Sequence, residues 1–305
     1  MKRQLLVAEF LSTPWALMPE RLNAFAAIVN RWSAGGHASA EVMTSIQADQ
    51  QAREARRATS ATASAGGIAV IPMYGVVTQR GNMAEDVSGP GSVSTQKFSA
   101  ALRAAIADPG VAQILIDIDS PGGSVYGVQE LAAEIMQARS VKPIVAIANS
   151  LCASAAYWVG CCASELYVTP GGEVGSIGVW QAHQDVSAAM EEAGVKTTMI
   201  SAGKYKTEGN PYAPLDADAT AFLQSRVDDY YQAFTQVVAK ARGVSIDAVR
   251  NGMGQGRVLG ADAALSQNMV DGVMTFDQLV KKMQKSSPPA ASRLAAMQRQ
   301  VAIVS

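Results

Sequence analysis

Short apolar runs alternate with amphipathic stretches over the central part of the chain. Apolar runs rich in β-branched residues are typical of buried strands, and apolar positions at intervals of three and four are typical of helices. The pattern predicts strands at 68–72, 114–118, 144–148, 166–168 and 197–200. It predicts helices between them near 95–107, 125–138 and 185–193. Because strands and helices alternate, we expect an α/β domain with a mostly parallel sheet.

A longer amphipathic stretch follows at 216–242. Gly243 comes directly after it and is a suitable residue to end a helix. The apolar residues on its predicted face are Phe222, Leu223, Val227, Tyr230, Phe234, Val237, Val238 and Ala241. We interpret this face as core or subunit contact, because aromatic residues at helical spacing usually pack against other parts of a protein.

The regions on either side of the domain have different patterns. Residues 1–35 carry apolar positions at helical spacing after two proline breaks, which predicts a short helical arm. Residues 36–67 are rich in Ala, Ser, Thr, Gly and charge, so they have little to bury and are predicted to be a flexible linker. We therefore place one domain at 68–283 and a tail at 284–305.

The composition excludes several classes of protein. With 305 residues, 49% of them hydrophobic, and a net charge of −1, the chain can bury a full core but has no basic surplus for nucleic acid or anionic membranes. No apolar segment approaches the roughly 20 residues of a membrane helix, so we expect no membrane anchor. Cys152, Cys161 and Cys162 are predicted to be buried thiols, which indicates a reducing compartment such as the cytoplasm.

Ser154 follows the strand predicted at 144–148 and precedes the helical sequence A-A-Y-W. A hydroxyl at a strand–helix junction lies near the N–H groups of the first helical turn, where a developing negative charge is stabilised. Such a serine can act as a nucleophile. An ordinary helix N-cap is the more common role of a serine at such a junction, and the position alone leaves both interpretations open.

Gly122 and Gly123 lie in the sequence D-S-P-G-G-S-V, directly after the strand predicted at 114–118. Glycines allow backbone N–H groups to approach a bound atom without obstruction by a side chain. The motif therefore fits an oxyanion hole, and it also fits a simple strand–helix turn. It is not a phosphate-binding loop, since the G-x-x-x-x-G-K-[ST] pattern is absent from the chain.

A serine nucleophile needs a base, and the chain has only two histidines, His37 and His183. We interpret His37 as a linker residue and His183 as a surface or core-edge residue, although His183 could serve a triad. A lysine can act as general base when burial lowers its pKa from about 10.4 toward neutrality. Lys204 and Lys206 are the candidates, with solvated surface charge as the alternative, and Ser176 could orient the amine or satisfy a turn.

Taken together, these motifs resemble the signal peptide peptidase A family of Ser/Lys serine peptidases, which includes bacteriophage head-maturation proteases. The similarity covers roughly residues 68–280. Four short motifs occur in the family's order, followed by a similar closing segment at 256–271. The motifs are D-S-P-G-G-S-V at 119–125, A-S-A-A-Y-W at 153–158, G-S-I-G-V at 175–179 and G-K-Y-K at 203–206.

The resemblance implies a Clp protease/crotonase-like fold of repeated ββα units and a ring-like homo-oligomer. It implies Ser154 as nucleophile and Lys206, rather than Lys204, as general base. Ser176 matches the residue that orients the lysine, and the backbone of Gly122 and Gly123 matches the oxyanion hole. No metal or organic cofactor is implied.

The chain departs from the family in two places. Ala155 and Ala156 follow Ser154 where glycines are common, and no membrane anchor is seen. The segment P-W-A-L-M-P-E-R-L at 14–22 is similar to the N-terminal arm of phage members. We therefore expect a cytoplasmic endopeptidase that processes scaffold, portal or coat protein within a phage prohead.

Three other functions remain open from the sequence. The chain could be a peptidase of the same family that degrades signal peptides or other peptides. It could be a crotonase-type acyl-CoA enzyme on the same fold, which would need no Ser/Lys pair. It could also be a capsid component that has kept the fold without catalysis.

Overall fold

A computed structural model describes residues 14–18, 67–80 and 92–286 of the chain. Outside these residues lie the apolar positions from which the helical arm was predicted, most of the predicted linker at 36–67, and the tail from 287 onward. Within the predicted arm, Trp15–Leu17 form a strand, β1. The predicted tail begins inside a helix, Phe276–Ser286.

The strands form two sheets. The larger sheet contains β2, β5, β7, β8, β9, β10 and β11, and the smaller sheet contains β1, β3, β4 and β6. The strands after β1 are β2 (Ile68–Tyr74), β3 (Val76–Thr78), β4 (Ser92–Ser94), β5 (Gln113–Ser120), β6 (Gly122–Ser124), β7 (Ile144–Ala153), β8 (Glu165–Val168), β9 (Glu173–Gly175), β10 (Val258–Gly260) and β11 (Gly272–Val273).

Pairing in the larger sheet is mostly parallel. β5 lies between β2 and β7, and β7 in turn pairs with β8 and, further along its length, with β9. Among the described strands of this sheet, only β9 and β10 pair antiparallel. The predicted α/β class with a mostly parallel sheet is therefore confirmed.

Eight helices are described. They are α1 (Thr95–Ala107), α2 (Val128–Ala138), α3 (Ala155–Gly160), α4 (Ser187–Glu192), α5 (Ala217–Arg242), α6 (Ile246–Asn251), α7 (Ala261–Ser266) and α8 (Phe276–Ser286). No helix of the described residues is long and apolar enough to span a bilayer.

The larger sheet buries both of its faces. One face packs against the main core, to which α1, α2, α3 and α5 contribute. The other face carries Leu115, Val145 and Ile147 against Leu279 and Met283 of α8. Since both faces are covered, β5 and β7 read as continuous apolar runs rather than as alternating ones.

The long helix α5 agrees with its predicted bounds. The Asp216 carboxylate accepts a hydrogen bond from the Ala219 N–H at 2.7 Å, and Gly243 ends the helix at a φ of 66°. Phe234 is fully buried and stacks on Trp158 of α3, with ring centroids 4.6 Å apart. The predicted apolar face is buried only in the C-terminal half, because Phe222 remains 53% exposed.

The prediction of a strand at 197–200 is wrong. These residues form no strand and are exposed, with Ile200 96% accessible. β-branched residues favour strands mainly through packing against neighbours, and this segment packs against none of the described core. The prediction of three buried thiols is confirmed, since all three cysteines are free and fully buried.

Candidate active site

Ser154 follows the carboxyl end of β7 and is the single residue between that strand and α3. Its backbone has φ 55° and ψ −119°, which non-glycine residues rarely adopt and which costs roughly 1–3 kcal/mol. A serine held in a strained strand-to-helix turn resembles the nucleophile elbow of hydrolases. The local conformation is therefore one in which strain and function commonly coincide.

The hydroxyl of Ser154 does not cap the helix. Ser154 occupies the N-cap position of α3, yet its side chain makes no capping hydrogen bond. Its carbonyl oxygen starts the helix in the usual way by accepting from the Trp158 N–H at 2.9 Å. The N-cap interpretation thus accounts for the position of the residue but not for its side chain, which remains available for chemistry.

Gly122 lies directly against Ser154. A Cβ added to Gly122 would be 2.8 Å from the Cβ of Ser154, and the φ of Gly122 is +96°. Gly123 is set differently, because it pairs with Ala16 of β1 and with Val77 of β3. Of the two predicted oxyanion-hole glycines, Gly122 therefore contacts the candidate nucleophile and Gly123 is held inside the smaller sheet.

The N–H of Gly122 donates a weak hydrogen bond to the Ser120 hydroxyl at 3.2 Å. That hydroxyl is anchored by its own 2.6 Å hydrogen bond to the carbonyl of Gly75. A second N–H is available at Ala155, which begins α3 and has no carbonyl one turn earlier in the helix. Neither Ser120 nor the Ala155 N–H was predicted from the sequence as part of the site.

Ser176 is brought next to Ser154 by the pairing of β7 and β9. Ala153 pairs with Gly175, and the Ser154 N–H donates to the Gly175 carbonyl at 2.7 Å. Ser176 has a φ of 53° and its N–H donates to the Arg257 carbonyl at 2.8 Å. Parallel strands end at the same edge of a sheet, so the two serines occupy equivalent positions on neighbouring strands.

The candidate bases are not joined to Ser154. Lys206 is exposed, and no hydrogen bond links it to Ser154 or Ser176 among the described residues. Lys204 donates to the Tyr205 hydroxyl at 2.7 Å, and a ring nitrogen of His183 lies 2.9 Å from the carbonyl oxygen of Asn210. The isolated chain thus assembles the serine and glycine side of the site and leaves the lysine in solvent.

Two features of the surroundings affect reactivity. Burial raises the pKa of the Cys152 thiol, so this neighbour stays protonated and does not compete as a nucleophile. In the described part of the chain, no group of three His, Cys, Asp or Glu side chains is arranged to hold a metal ion. The chemistry that the described residues can perform is attack by a serine hydroxyl next to backbone N–H groups.

Comparison with known proteins gives an independent view of the same region. The model of Peptidase family S49 matches residues 136–288, which includes Ser154, Ser176 and Lys206. Capsid assembly protease C of Escherichia phage lambda is 35% identical over 228 residues, which cover 75% of this chain and 51% of that protein.

Head-tail preconnector protein GP5 of Enterobacteria phage P21 is 36% identical over 183 residues, covering 60% of this chain and 36% of that protein. The chain therefore spans about half or less of the length of these two relatives. Among solved structures, the 1510-N membrane-bound stomatin-specific protease aligns with a TM-score of 0.44 and 16% identity, covering 70% of this chain and 82% of that one.

Proposed function

The chain belongs to peptidase family S49, and on this basis we propose that it is a serine endopeptidase whose nucleophile is Ser154. The observation that carries the proposal is the setting of this residue. Its buried hydroxyl makes no capping bond, it lies in a strained turn, and it rests directly against Gly122. This combination suits a nucleophile better than a structural serine.

In the proposed reaction, the Oγ of Ser154 attacks the carbonyl carbon of a peptide bond and its proton passes to the base. The resulting oxyanion accepts hydrogen bonds from the N–H groups of Gly122 and Ala155, and the weak bond from Gly122 to Ser120 is given up. The base then protonates the leaving amine. Water attacks the acyl group in the same way and restores the serine.

We propose Lys206 as the base, with Ser176 orienting its amine. Ser176 and Ser154 follow paired residues of neighbouring strands, so a lysine amine at this edge of the sheet would approach both serines. In the isolated chain Lys206 is exposed on a segment that also exposes Val195, Met199 and Ile200. We propose that this segment is covered in a homo-oligomer, which would exclude water from Lys206 and bring its amine to the site.

We propose phage head proteins, such as scaffold, portal or coat protein, as the substrates. The support is the similarity to a capsid assembly protease and to a head-tail preconnector protein. In this setting the chain would act in the cytoplasm of the bacterial host, within the assembling prohead. Substrates would bind as extended segments, because a peptide can add as a strand to an open sheet edge.

The test is cleavage of an unfolded protein by wild type, Ser154→Ala, Lys206→Ala and the matched control Lys204→Ala. We expect Ser154→Ala and Lys206→Ala to lose activity by at least about a thousandfold, and Lys204→Ala to keep it. Size-exclusion chromatography would report the oligomer for each variant. Full activity in Ser154→Ala would refute the nucleophile, and loss in Lys204→Ala alone would refute the assignment of the base.

A further inference from the structure

The segment 14–18 of the chain lies beside the candidate nucleophile, Ser154. Its strand, β1, pairs antiparallel with β6 (Gly122–Ser124) and covers what would otherwise be the open edge of the smaller sheet. On its other side, Trp15 forms an antiparallel bridge with Trp180. A strand held on both edges at a candidate nucleophile is in the position that a bound peptide would take.

Backbone hydrogen bonds hold this segment along its length. The Met18 N–H donates to the Pro121 carbonyl at 3.2 Å, and the Val125 N–H donates to the Pro14 carbonyl at 3.4 Å. Hydrogen-bonded pairs alternate along an antiparallel ladder, so Ala16 and Gly123 form the hydrogen-bonded pair between them. The contacts to β6 therefore depend on the peptide backbone rather than on particular side chains.

Trp180 completes the opposite edge. Its N–H donates to the Trp15 carbonyl at 3.0 Å, and its carbonyl accepts from the Trp15 N–H at 2.8 Å. The indole N–H of Trp180 also donates to the carbonyl of Leu17 at 2.8 Å. Trp180 follows Ser176 by only four residues, so this edge continues directly from the candidate site.

The carbonyl oxygen of Ala16 lies close to Gly122, which in turn lies against Ser154. A Cβ added to Gly122 would lie less than 3.0 Å from the carbonyl oxygen of Ala16 and also less than 3.0 Å from the Cβ of Ser154. The carbonyl oxygen of Ala16 and the Cβ of Ser154 are therefore no more than about 6 Å apart. The Ala16 carbonyl thus lies in the same neighbourhood as the Ser154 side chain and the Gly122 backbone.

The side chains of the segment alternate between two environments. Ala16 is fully buried and packs in the main core. Trp15 and Leu17 point the other way and pack with Val76 and Trp180. The segment thus carries a small buried residue near Gly122 and a large apolar residue on each side of it.

From these contacts we propose that segment 14–18 is an internal peptide ligand that occupies the substrate groove of the same chain. The inference rests on the proposed function, since it takes Ser154 to be the active serine. A substrate peptide must displace β1 to reach β6 and Trp180. Its apparent affinity is therefore reduced by the fraction of molecules in which the groove is filled.

The test measures peptide binding without turnover, in the full chain carrying Ser154→Ala. The probe is a fluorescein-labelled peptide with the sequence of residues 12–20, S-T-P-W-A-L-M-P-E, followed by fluorescence anisotropy. Ala16→Pro removes the N–H that the ladder with Gly123 uses, whereas the matched control Ala16→Gly keeps it. A second variant, Trp15→Ala with Leu17→Ala, removes the two apolar anchors and leaves the backbone unchanged. Thermal unfolding monitors the fold of each variant.

We expect the peptide to bind roughly five- to tenfold more tightly to Ala16→Pro than to Ala16→Gly, since one backbone hydrogen bond of the competitor is lost. The peptide should also bind more tightly to the variant with Trp15→Ala and Leu17→Ala than to the Ala16→Gly control. Equal affinities in all variants would overturn the inference. Weaker binding would also overturn it, since β1 would then be a wall of the site rather than its occupant.

The result separates this inference from the proposed function. If binding tightens as expected while the chain with Ser154 intact cleaves no substrate, the groove is occupied as proposed and the peptidase assignment fails. If the chain cleaves substrate but loosening β1 leaves peptide affinity unchanged, the peptidase assignment stands and the internal ligand is refuted.

Discussion

Replacing Gly122 with alanine tests whether the close contact between this glycine and Ser154 shapes the site. The added methyl group would lie 2.8 Å from the Cβ of Ser154 and 3.0 Å from the carbonyl oxygen of Ala153, and it would also overlap the carbonyl of Ala16. Two of these three atoms belong to the backbone, so no flexible side chain can move aside. The substitution also places a Cβ on a residue whose φ is +96°.

The expected loss of stability follows from both terms. A left-handed backbone costs an alanine about 1–2 kcal/mol relative to glycine, and overpacking a filled site costs about 1–3 kcal/mol. We therefore expect the free energy of unfolding to fall by roughly 3 kcal/mol. Cleavage should fall further, by about a hundredfold, because a nucleophile displaced by 1 Å loses its alignment with the substrate.

The assay is urea unfolding followed by circular dichroism, together with cleavage of an unfolded protein substrate. Gly171→Ala is the matched control, because a Cβ there would meet no atom within 4 Å. We expect this control to change stability by no more than about 0.5 kcal/mol and to leave cleavage unchanged. If Gly122→Ala is as stable and as active as the control, the contact with Ser154 does not constrain the site.

Two further predictions concern the core and the acid stability of the domain. Phe234→Ala should lower the free energy of unfolding by about 3–5 kcal/mol, because it empties a buried site against Trp158, whereas Phe222→Ala on the exposed half of the same helix should have little effect. Urea titration of both variants checks this, and equal losses would contradict it. Burial alone would raise the pKa of Asp271, but the hydrogen bonds and charge of Arg242 outweigh it and hold this pKa below its usual range. The pair therefore stabilises the fold above about pH 4 and less as the pH falls through the lowered pKa. Asp271→Asn should be destabilised by about 1 kcal/mol at pH 7, a small value because the carboxylate is 35% exposed and screened by solvent, and the variant should lose that difference in acid. The check is to measure the free energy of unfolding of wild type and Asp271→Asn from pH 2 to 7. A difference between the two proteins that stays constant over this range would refute the reasoning.

Local pattern was sufficient for the elements whose residues are buried. The strand around 114–118 and the helix at 95–107 were predictable because their apolar periodicity reflects contact with the core. The residues at 197–200 have the composition of a strand but no partner, and the sequence alone does not distinguish the two cases. β1 was missed because it has three residues and its partner, Gly122–Ser124, lies more than a hundred positions away.

The candidate site likewise contains some features that could be predicted from the sequence and others that could not. Ser154 and Gly122 follow strands that the sequence predicts, and parallel strands bring their ends to one edge, so the proximity of these two residues could be anticipated. Ser176 follows β9, a strand of three residues that the sequence did not predict, so its place beside Ser154 rested on the family resemblance alone. The strained backbone of Ser154 and the absence of a capping bond could not be anticipated, because they depend on packing around the turn. Lys206 lies on an exposed segment, where no periodicity fixes its position relative to the sheet.

The stack of Phe234 on Trp158 has a mechanical consequence. Helix α5 contains 26 residues and is about 39 Å long, with its C-terminal half fixed in the core and much of its other half exposed. Trp158 lies on the short helix that begins immediately after Ser154, so the two helices are clamped together one turn from the nucleophile. Close-packed interiors transmit displacement rather than absorb it. A displacement of the exposed half of α5, for example by a molecule that binds there, would therefore be transmitted through this stack to the turn that holds Ser154.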